Sequence, residues 1–328
     1  MRIVITGSIA TDHLMSFSGK FTDSLVVDKL DSISLSFLVD DLDVRRGGVG
    51  ANVAFGLGSL GVPVALVGAV GRDFDDYRSW LERHGVDTDS VHVSDVHHTA
   101  RFVCTTDVAN NQIASFYPGA MSEARNIELL PVSERLGGMD LVLVGPNDPQ
   151  AMLRHTQECR ARGTAFAADP SQQLAFLDGD GIRPLIEGAS YLFTNEYEAA
   201  LTEQKTGWSA TDVLSRVECR VTTLGADGAR VERNGQSAIH VDVPKERTKA
   251  DPTGVGDAFR AGFISGLHWS LGDERCAQIG SMLATYVIET VGTQEYSFTH
   301  TDFLSRFADA YGAQAASEVA PHLQLTSS

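Results

Sequence analysis

The feature that most limits the fold is the rhythm of the chain beyond about residue 125. Short apolar runs alternate there with longer amphipathic ones: "DLVLVG" before "DPQAMLRHTQECRARG", "TAFAAD" before "PSQQLAFLDGDGIRPLIEGA", "YLFT" before "NEYEAALTEQ". "CRVTTLG" adds another buried strand and "GARVERNGQSAIHV" a hairpin turned at Asn234-Gly235. Two helices follow, "GDAFRAGFISGLHW" and "DERCAQIGSMLATYVIETVG", and a last one is expected over 302–313, leaving "HLQLTSS" with little to anchor it. Earlier, "RIVIT" and "VPVALVGAV" read as strands and "DFDDYRSWLERHG" as a helix with acids in its first turn. Apolar strands alternating with amphipathic helices predict an α/β fold, a doubly wound and mainly parallel sheet with helices on both faces.

Two stretches do not fit that sheet. Residues 14–46, with "SISLSFLVDDLDV", and the strands "TARFVCTTD" and "QIASFY" alternate polar and apolar side chains, as in a half-exposed sheet. They predict a small β lid over 14–46 and 97–117, set on a large domain of 1–13, 47–96 and 118–328. A small projecting sheet has unpaired edges, and "SISLSFLV" would leave Leu35, Phe37 and Val39 partly exposed. A homodimer through the lid is therefore expected.

The formal charge of −17 weighs against nucleic-acid binding, because phosphate contacts need clustered Lys and Arg. A small anionic ligand remains compatible with it, since helix N-termini and metal ions supply positive potential locally. The four cysteines are each more than fifty residues from the next, without zinc or thioredoxin spacing. The apolar start breaks at Thr6 and "VPVALVGAV" is too short to span a bilayer. A cytoplasmic protein with no membrane partner is the expectation.

The chemistry concentrates in "TKADPTGVGDAFRAGF" (248–263). A glycine-rich helix start usually holds an anion, yet a carboxylate, Asp257, stands there and no lysine was counted beside it. A dinucleotide fingerprint fails because Phe259 replaces its third glycine, and no Walker A loop occurs in the chain. A nest of backbone N–H groups over Gly254, Val255, Gly256 and Asp257 resolves the puzzle. Its amides would stabilise a phosphoryl group in flight, while Asp257 takes the proton of an attacking hydroxyl.

Four motifs in order then resemble the ribokinase-like (PfkB) carbohydrate and nucleoside kinases. They are "RGGVGANVAFGLGSLG", "TNEYE", "VTTLGADG" and "DPTGVGDAF", the last with Pro252 and Val255 where Thr and Ala are commoner. "GSIATDHLM", "LSFLVDDL", "IASFYPGAMSEARNI", "AADPSQQLA" and "GTQE" are similar to actinobacterial-type adenosine kinases. The resemblance implies ATP-dependent phosphorylation of adenosine at its 5′-hydroxyl, in purine salvage. Other kinases of the family acting on ribose, fructose or a different nucleoside, and a non-catalytic sensor on the same fold, are the rivals.

The resemblance also assigns residues. Asp12, read as following the first strand, would bind the ribose hydroxyls beside Gly48 and Asn52. Phe102 and Phe116 would wall the purine, with Ser8, Ser36, Gln172 and Gln173 as polar contacts. Thr223, Gly225, Asp227, Gly228, Asn195 and Gly256 would line ATP. Glu198 would organise Mg²⁺ through water. Asp251 and Thr253, helped by Gly292, would hold a monovalent cation such as K⁺.

Overall fold

The computed structural model describes residues 1–24 and 36–323. Its main sheet has ten strands. β1 (Ile3–Thr6) lies at the centre, and β2 (Ala10–Phe17) and β3 (Asp41–Gly47) leave for a second sheet. Then come α1 (Val49–Ser59), β4 (Val64–Val70), α2 (Asp75–Arg83), β5 (Val86–Asp87) and β6 (Val91–Val93). β7 (Ala100–Asp107) and β8 (Gln112–Tyr117) complete the second sheet before α3 (Leu129–Leu136). The alternation continues with β9 (Leu141–Val144), α4 (Pro149–Arg162), β10 (Ala165–Ala168), α5 (Gln173–Phe176) and α6 (Gly179–Ile186). After β11 (Tyr191–Asn195), α7 (Glu196–Thr206), α8 (Ala210–Arg216) and β12 (Arg220–Thr223) comes the hairpin β13 (Ala229–Glu232)–β14 (Ile239–Val241). The chain ends in α9 (Val255–His268), α10 (Asp273–Ile288), α11 (His300–Tyr311) and α12 (Ala313–Leu323).

The order β14-β13-β12-β11-β10-β9-β1-β4-β5, with β6 also beside β4, is parallel except at the hairpin edge. The alternating side chains of β1 enter different cores, as strand geometry requires. Ile3 and Ile5 pack with α1, α9, α10 and the C-terminal helices, while Val4 faces the cluster of α3, α4 and α6. This explains why β4, "VALVGAV", is apolar throughout: every residue of it is buried. Helix ends follow local chemistry. Asp148 caps α4 by accepting N–H bonds from Gln150 and Ala151, and Gly163 ends it at φ 66°.

Three helices were not foreseen, α3, α8 and α12. α3 lacks a visible start signal. α12 occupies part of the tail expected to be loose: Ala316, Val319 and Leu323 recur at helical spacing and are buried against the core. Among the described residues, no helix is long and apolar enough to cross a membrane. All four cysteines are buried and free.

The second sheet runs β3-β2-β7-β8. It starts at Ala10, earlier than residue 14, so Asp12 stands on a lid strand rather than after the first strand. Its register sets one rung of four side chains: Arg45 opposite Asp12, Asp12 opposite Phe102, Phe102 opposite Phe116. A rung on the other face, Leu42–Met15–Thr105–Ile113, exposes Leu42 and Ile113. Leu35 lies outside the described residues. Phe37 is not a bare surface group, since its ring packs on Phe17 and Phe21 at 4.9 and 5.2 Å.

Candidate active site

Two pockets meet at the start of α9. Gly254 precedes the helix at φ 79°, and a Cβ there would stand 2.9 Å from the Thr293 side chain. Only glycine makes this turn without strain. The first-turn N–H groups have no helical carbonyl to bond; that of Val255 has only a 3.4 Å contact with the Pro252 carbonyl. The expected nest at 254–257 is therefore present as a helix N-terminus, open toward both pockets.

The first pocket, about 350 Å³, lies under the lid rung. It brings together Ser8, Asp12, Gly48, Asn52, Phe102, Phe116, Gln172, Gln173, Thr253, Gly254 and Asp257, eleven of the residues singled out in the sequence. Ser36 is exposed and does not line it. Gly48 sits at φ 91°, where a Cβ would lie 2.6 Å from the Ser8 carbonyl, so α1 can enter the pocket this closely only from a glycine. Ser8 Oγ accepts the Val49 N–H at 3.0 Å. Gln173 Nε2 donates to the Asn147 carbonyl at 3.0 Å.

Asp257 receives a hydrogen bond from Asn52 Nδ2 at 2.8 Å. Burial pushes its carboxyl up to about 6, against the pull of Asn52 and Arg260 and with the neighbouring charges of Asp169 and Glu198. Burial likewise pushes Asp12 up to about 6, opposed by Arg45. A carboxylate near 6 is ionised at neutral pH yet basic enough to take a proton, the compromise that acid–base catalysis uses.

The second pocket, about 400 Å³, opens on the other side of the same turn. Thr223, Gly225, Gly228, Val255 and Gly256 line it, with apolar walls from Val243, Phe259, Ala284 and Ile288. Asp227 and Asn195 do not line it. Asn195 is the helix cap of α7: its Oδ1 accepts the Glu198 N–H and its own N–H donates to Glu198 Oε2, both at 2.8 Å. Sequence reasoning undercounted here, because Lys249, inside the quoted stretch, lines this groove and pairs with Glu246 at 3.1 Å.

Glu198 also accepts from Ser171 Oγ at 3.3 Å and lies 3.9 Å from Arg260. Asp169, at the end of β10, is taken by Arg260, with contacts of 2.5 and 2.7 Å. Burial raises Asp169 despite that partner. Among the described residues no three His, Cys, Asp or Glu side chains group to hold a metal. Glu198 lines neither pocket, and a single carboxylate fits Mg²⁺ only in the sense that this ion keeps several waters and takes phosphate oxygens as ligands. The monovalent site fits less well. Asp251 accepts the N–H groups of Thr253 and Gly292 at 2.9 and 3.1 Å, and Arg45 stands 3.8 Å away. These partners hold its pKa down although burial works the other way; a guanidinium already supplies the positive charge.

Residues the sequence reading missed are the polar partners of those it named. Arg260 and Asp169 are a buried ion pair under the nest. Asn147 lines the first pocket, and its Nδ2 has no hydrogen-bond partner among the described residues. Tyr77, Thr293 and Gln294 surround Asn52.

Comparison with known proteins agrees with this geometry. The pfkB family carbohydrate kinase profile matches residues 20–300. A nucleoside kinase from Methanocaldococcus jannaschii is 28% identical over 89% of this chain and 92% of its own length. One from Methanothermobacter thermautotrophicus is 30% identical over 87% and 92%. The structure of Burkholderia thailandensis nucleoside kinase in complex with inosine superposes with a TM-score of 0.81 at 33% identity, covering 94% of this chain and 98% of that one. With the family's profile across most of its length and its two-pocket arrangement around one helix start, the chain belongs to the pfkB family of carbohydrate kinases, on a ribokinase-like fold.

Proposed function

We propose that the protein is an ATP-dependent nucleoside kinase that transfers the γ-phosphoryl group of ATP to the 5′-hydroxyl of adenosine, giving AMP and ADP in purine salvage. The observation that carries this reading is the lid rung. It sets a carboxylate, Asp12, beside two aromatic rings, Phe102 and Phe116, in the pocket whose floor holds Asp257. A carboxylate is a natural acceptor for two sugar hydroxyls, and flat apolar walls suit a base. A simple sugar kinase needs the first but not the second.

In this reading Asp257 accepts the proton of the 5′-hydroxyl as its oxygen attacks the γ-phosphorus. The new O–P bond forms as the bond to the β-phosphate oxygen breaks, and ADP leaves with the electron pair. The N–H groups of 254–257 stabilise the charge on the transferring group. Thr223, Gly225, Gly228 and the apolar groove hold the donor nucleotide. Mg²⁺, organised at Glu198 through water, neutralises the phosphate oxygens when bound.

An ADP-release assay over adenosine, inosine, guanosine, cytidine, ribose and fructose tests the assignment. Adenosine should lead ribose by at least about tenfold in kcat/KM, and ribose or fructose matching it would return the protein to the general sugar kinases. Inosine is the specific second reading, because the Burkholderia relative was solved with it; inosine ahead of adenosine would favour it.

The lid also forms a homodimer in this reading. Leu42, Val44 and Ile113 are exposed on its outer face, and β3 and β8 are its two edges. Light scattering giving a monomer at micromolar concentration would overturn the dimer alone.

A further inference from the structure

Asn52 reaches Asp257 through an amide whose two ends look alike in shape but are opposite in hydrogen bonding. If the oxygen faced Asp257, two acceptors would meet and the carboxylate would lose its donor. The direction is settled at the far end of a buried chain. The Gly47 carbonyl can only accept, so Tyr77, whose hydroxyl oxygen lies 2.9 Å from it, must donate there. The Tyr77 oxygen is then left to accept, and Gln294 Nε2 donates to it at 2.6 Å. The second hydrogen of that nitrogen goes to Asn52 Oδ1 at 2.9 Å, and the Thr293 hydroxyl shares its one hydrogen between that oxygen and the Arg46 carbonyl, both at 2.9 Å. With its oxygen so occupied, Asn52 can only turn Nδ2 toward Asp257, at 2.8 Å.

We infer that Gln294, together with Thr293, is a positioning residue for the reaction: it fixes the polarity of the Asn52 amide and so keeps Asp257 ionised and aimed at the acceptor. The inference rests on the kinase reading, in which Asp257 is the base. Gln294 is fully buried and does not itself line the substrate pocket, which it reaches only through Asn52. Burial holds the Tyr77 phenol well above its ordinary range, so its proton stays in place to start the chain. The Asn52 hydrogen bond is the largest influence favouring the charged form of Asp257. The other charged groups acting on Asp257 are Arg260 from its own helix, Asp169 from the end of β10 and Glu198 from α7. The buried phenol Tyr296 also senses its charge. Neither Gln294 nor Thr293 touches these groups through any hydrogen bond described here.

The test is the pH profile of kcat/KM for adenosine in the full-length protein carrying Gln294→Met or Thr293→Val. The first loses the N–H donor to Asn52 Oδ1, and the second a pocket-lining hydroxyl whose one hydrogen that oxygen shares with the Arg46 carbonyl, each with little change in size. The acid limb should move upward by about half a unit to one unit, costing roughly two- to sixfold in kcat/KM at pH 6 and much less at pH 8. The double variant should move it further. Profiles of both single variants that superimpose on the parent's would overturn the inference. If Gln294→Met does not fold, Tyr77→Phe, which removes the acceptor that orients Gln294, decides by the same criterion. Asp257→Asn separates the two levels: full activity in that variant would sink the kinase reading itself. An inactive Asp257→Asn beside unshifted Gln294 and Thr293 profiles would sink only the positioning role.

Discussion

The two pockets share one turn of helix yet are built by opposite means. Under the lid, residues from eight segments converge, and several polar groups answer one another: Asp257 to Asn52, Ser8 to Val49, Gln173 to Asn147. Across the turn, glycines and apolar side chains make most of a groove whose polar side chains are Thr223, Glu246, Lys249, Ser281 and Thr285. The division follows from the helix itself. Thr253, Gly254 and Asp257 face one side, and Pro252, Val255, Gly256 and Phe259 the other. A pocket built from hydrogen bonds discriminates by rejecting ligands that leave its groups unpaired, whereas an apolar groove tolerates shape. Selectivity in this molecule should therefore reside on the lid side, and the donor side should be permissive.

The largest effect is expected where the two sides meet. Asp257→Asn should lower kcat by about two to four orders of magnitude while leaving both KM values within about threefold. More than a tenth of parental kcat would remove Asp257 from the base role. Next come two substitutions that should separate the sides. Asp12→Ala should raise the nucleoside KM by about 10- to 100-fold, the worth of hydrogen bonds to a charged acceptor, with the ATP KM unmoved. Ala284→Leu, which fills the groove, should raise the ATP KM several-fold with the nucleoside KM unmoved. If either variant moved both constants alike, the two-sided description would fail.

The smallest effect concerns pH. Catalysis needs Asp257 ionised, so kcat/KM should climb through about pH 6. Stability runs the other way. A carboxyl raised to about 6 binds more protons folded than unfolded, so its contribution is complete at low pH and is lost as pH rises from about 4 to 6. Asp257→Asn should accordingly gain in Tm over the parent as pH increases, by about 2 °C or more at pH 7.5, in the ligand-free protein. A difference in Tm that stays flat from pH 4.5 to 7.5 would mean that burial of this carboxylate is not costly.

The same contrast explains what the amino-acid sequence disclosed. Backbone-led features were legible: the glycine turn at 254, the close approach at Gly48, the strands of the large sheet other than β5 and β6, and the lid strands β7 and β8. Each depends on one residue type or a local period. Features made by side chains meeting across the fold were not. Arg260 and Asp169 are ninety-one positions apart, and Gln294 stands 242 from Asn52; neither spacing carries a period. Asp12 was assigned the right pocket but the wrong element, because an apolar strand and the start of a lid strand run together at Gly7–Ile9. α12 was within reach, since its alanines, Val319 and Leu323 repeat at helical spacing. Lys249 was a matter of looking only at one side of the motif.

One consequence of the lid register concerns length rather than chemistry. Asp12, Phe102 and Phe116 stand on three adjacent strands, and adjacent strands are held about 4.8 Å apart by their ladder hydrogen bonds. The rung is thus a ruler whose marks are backbone spacings, with Asp12 and Phe116, the marks for sugar and base in the proposed reading, about 10 Å apart. Randomising the side chains along it can change which base edge is preferred, but no substitution can move the marks. A carbon-linked nucleoside of natural length should still measure correctly. One with a single methylene inserted between sugar and base should not, however well its base would otherwise pack, and no library of lid side chains should recover it.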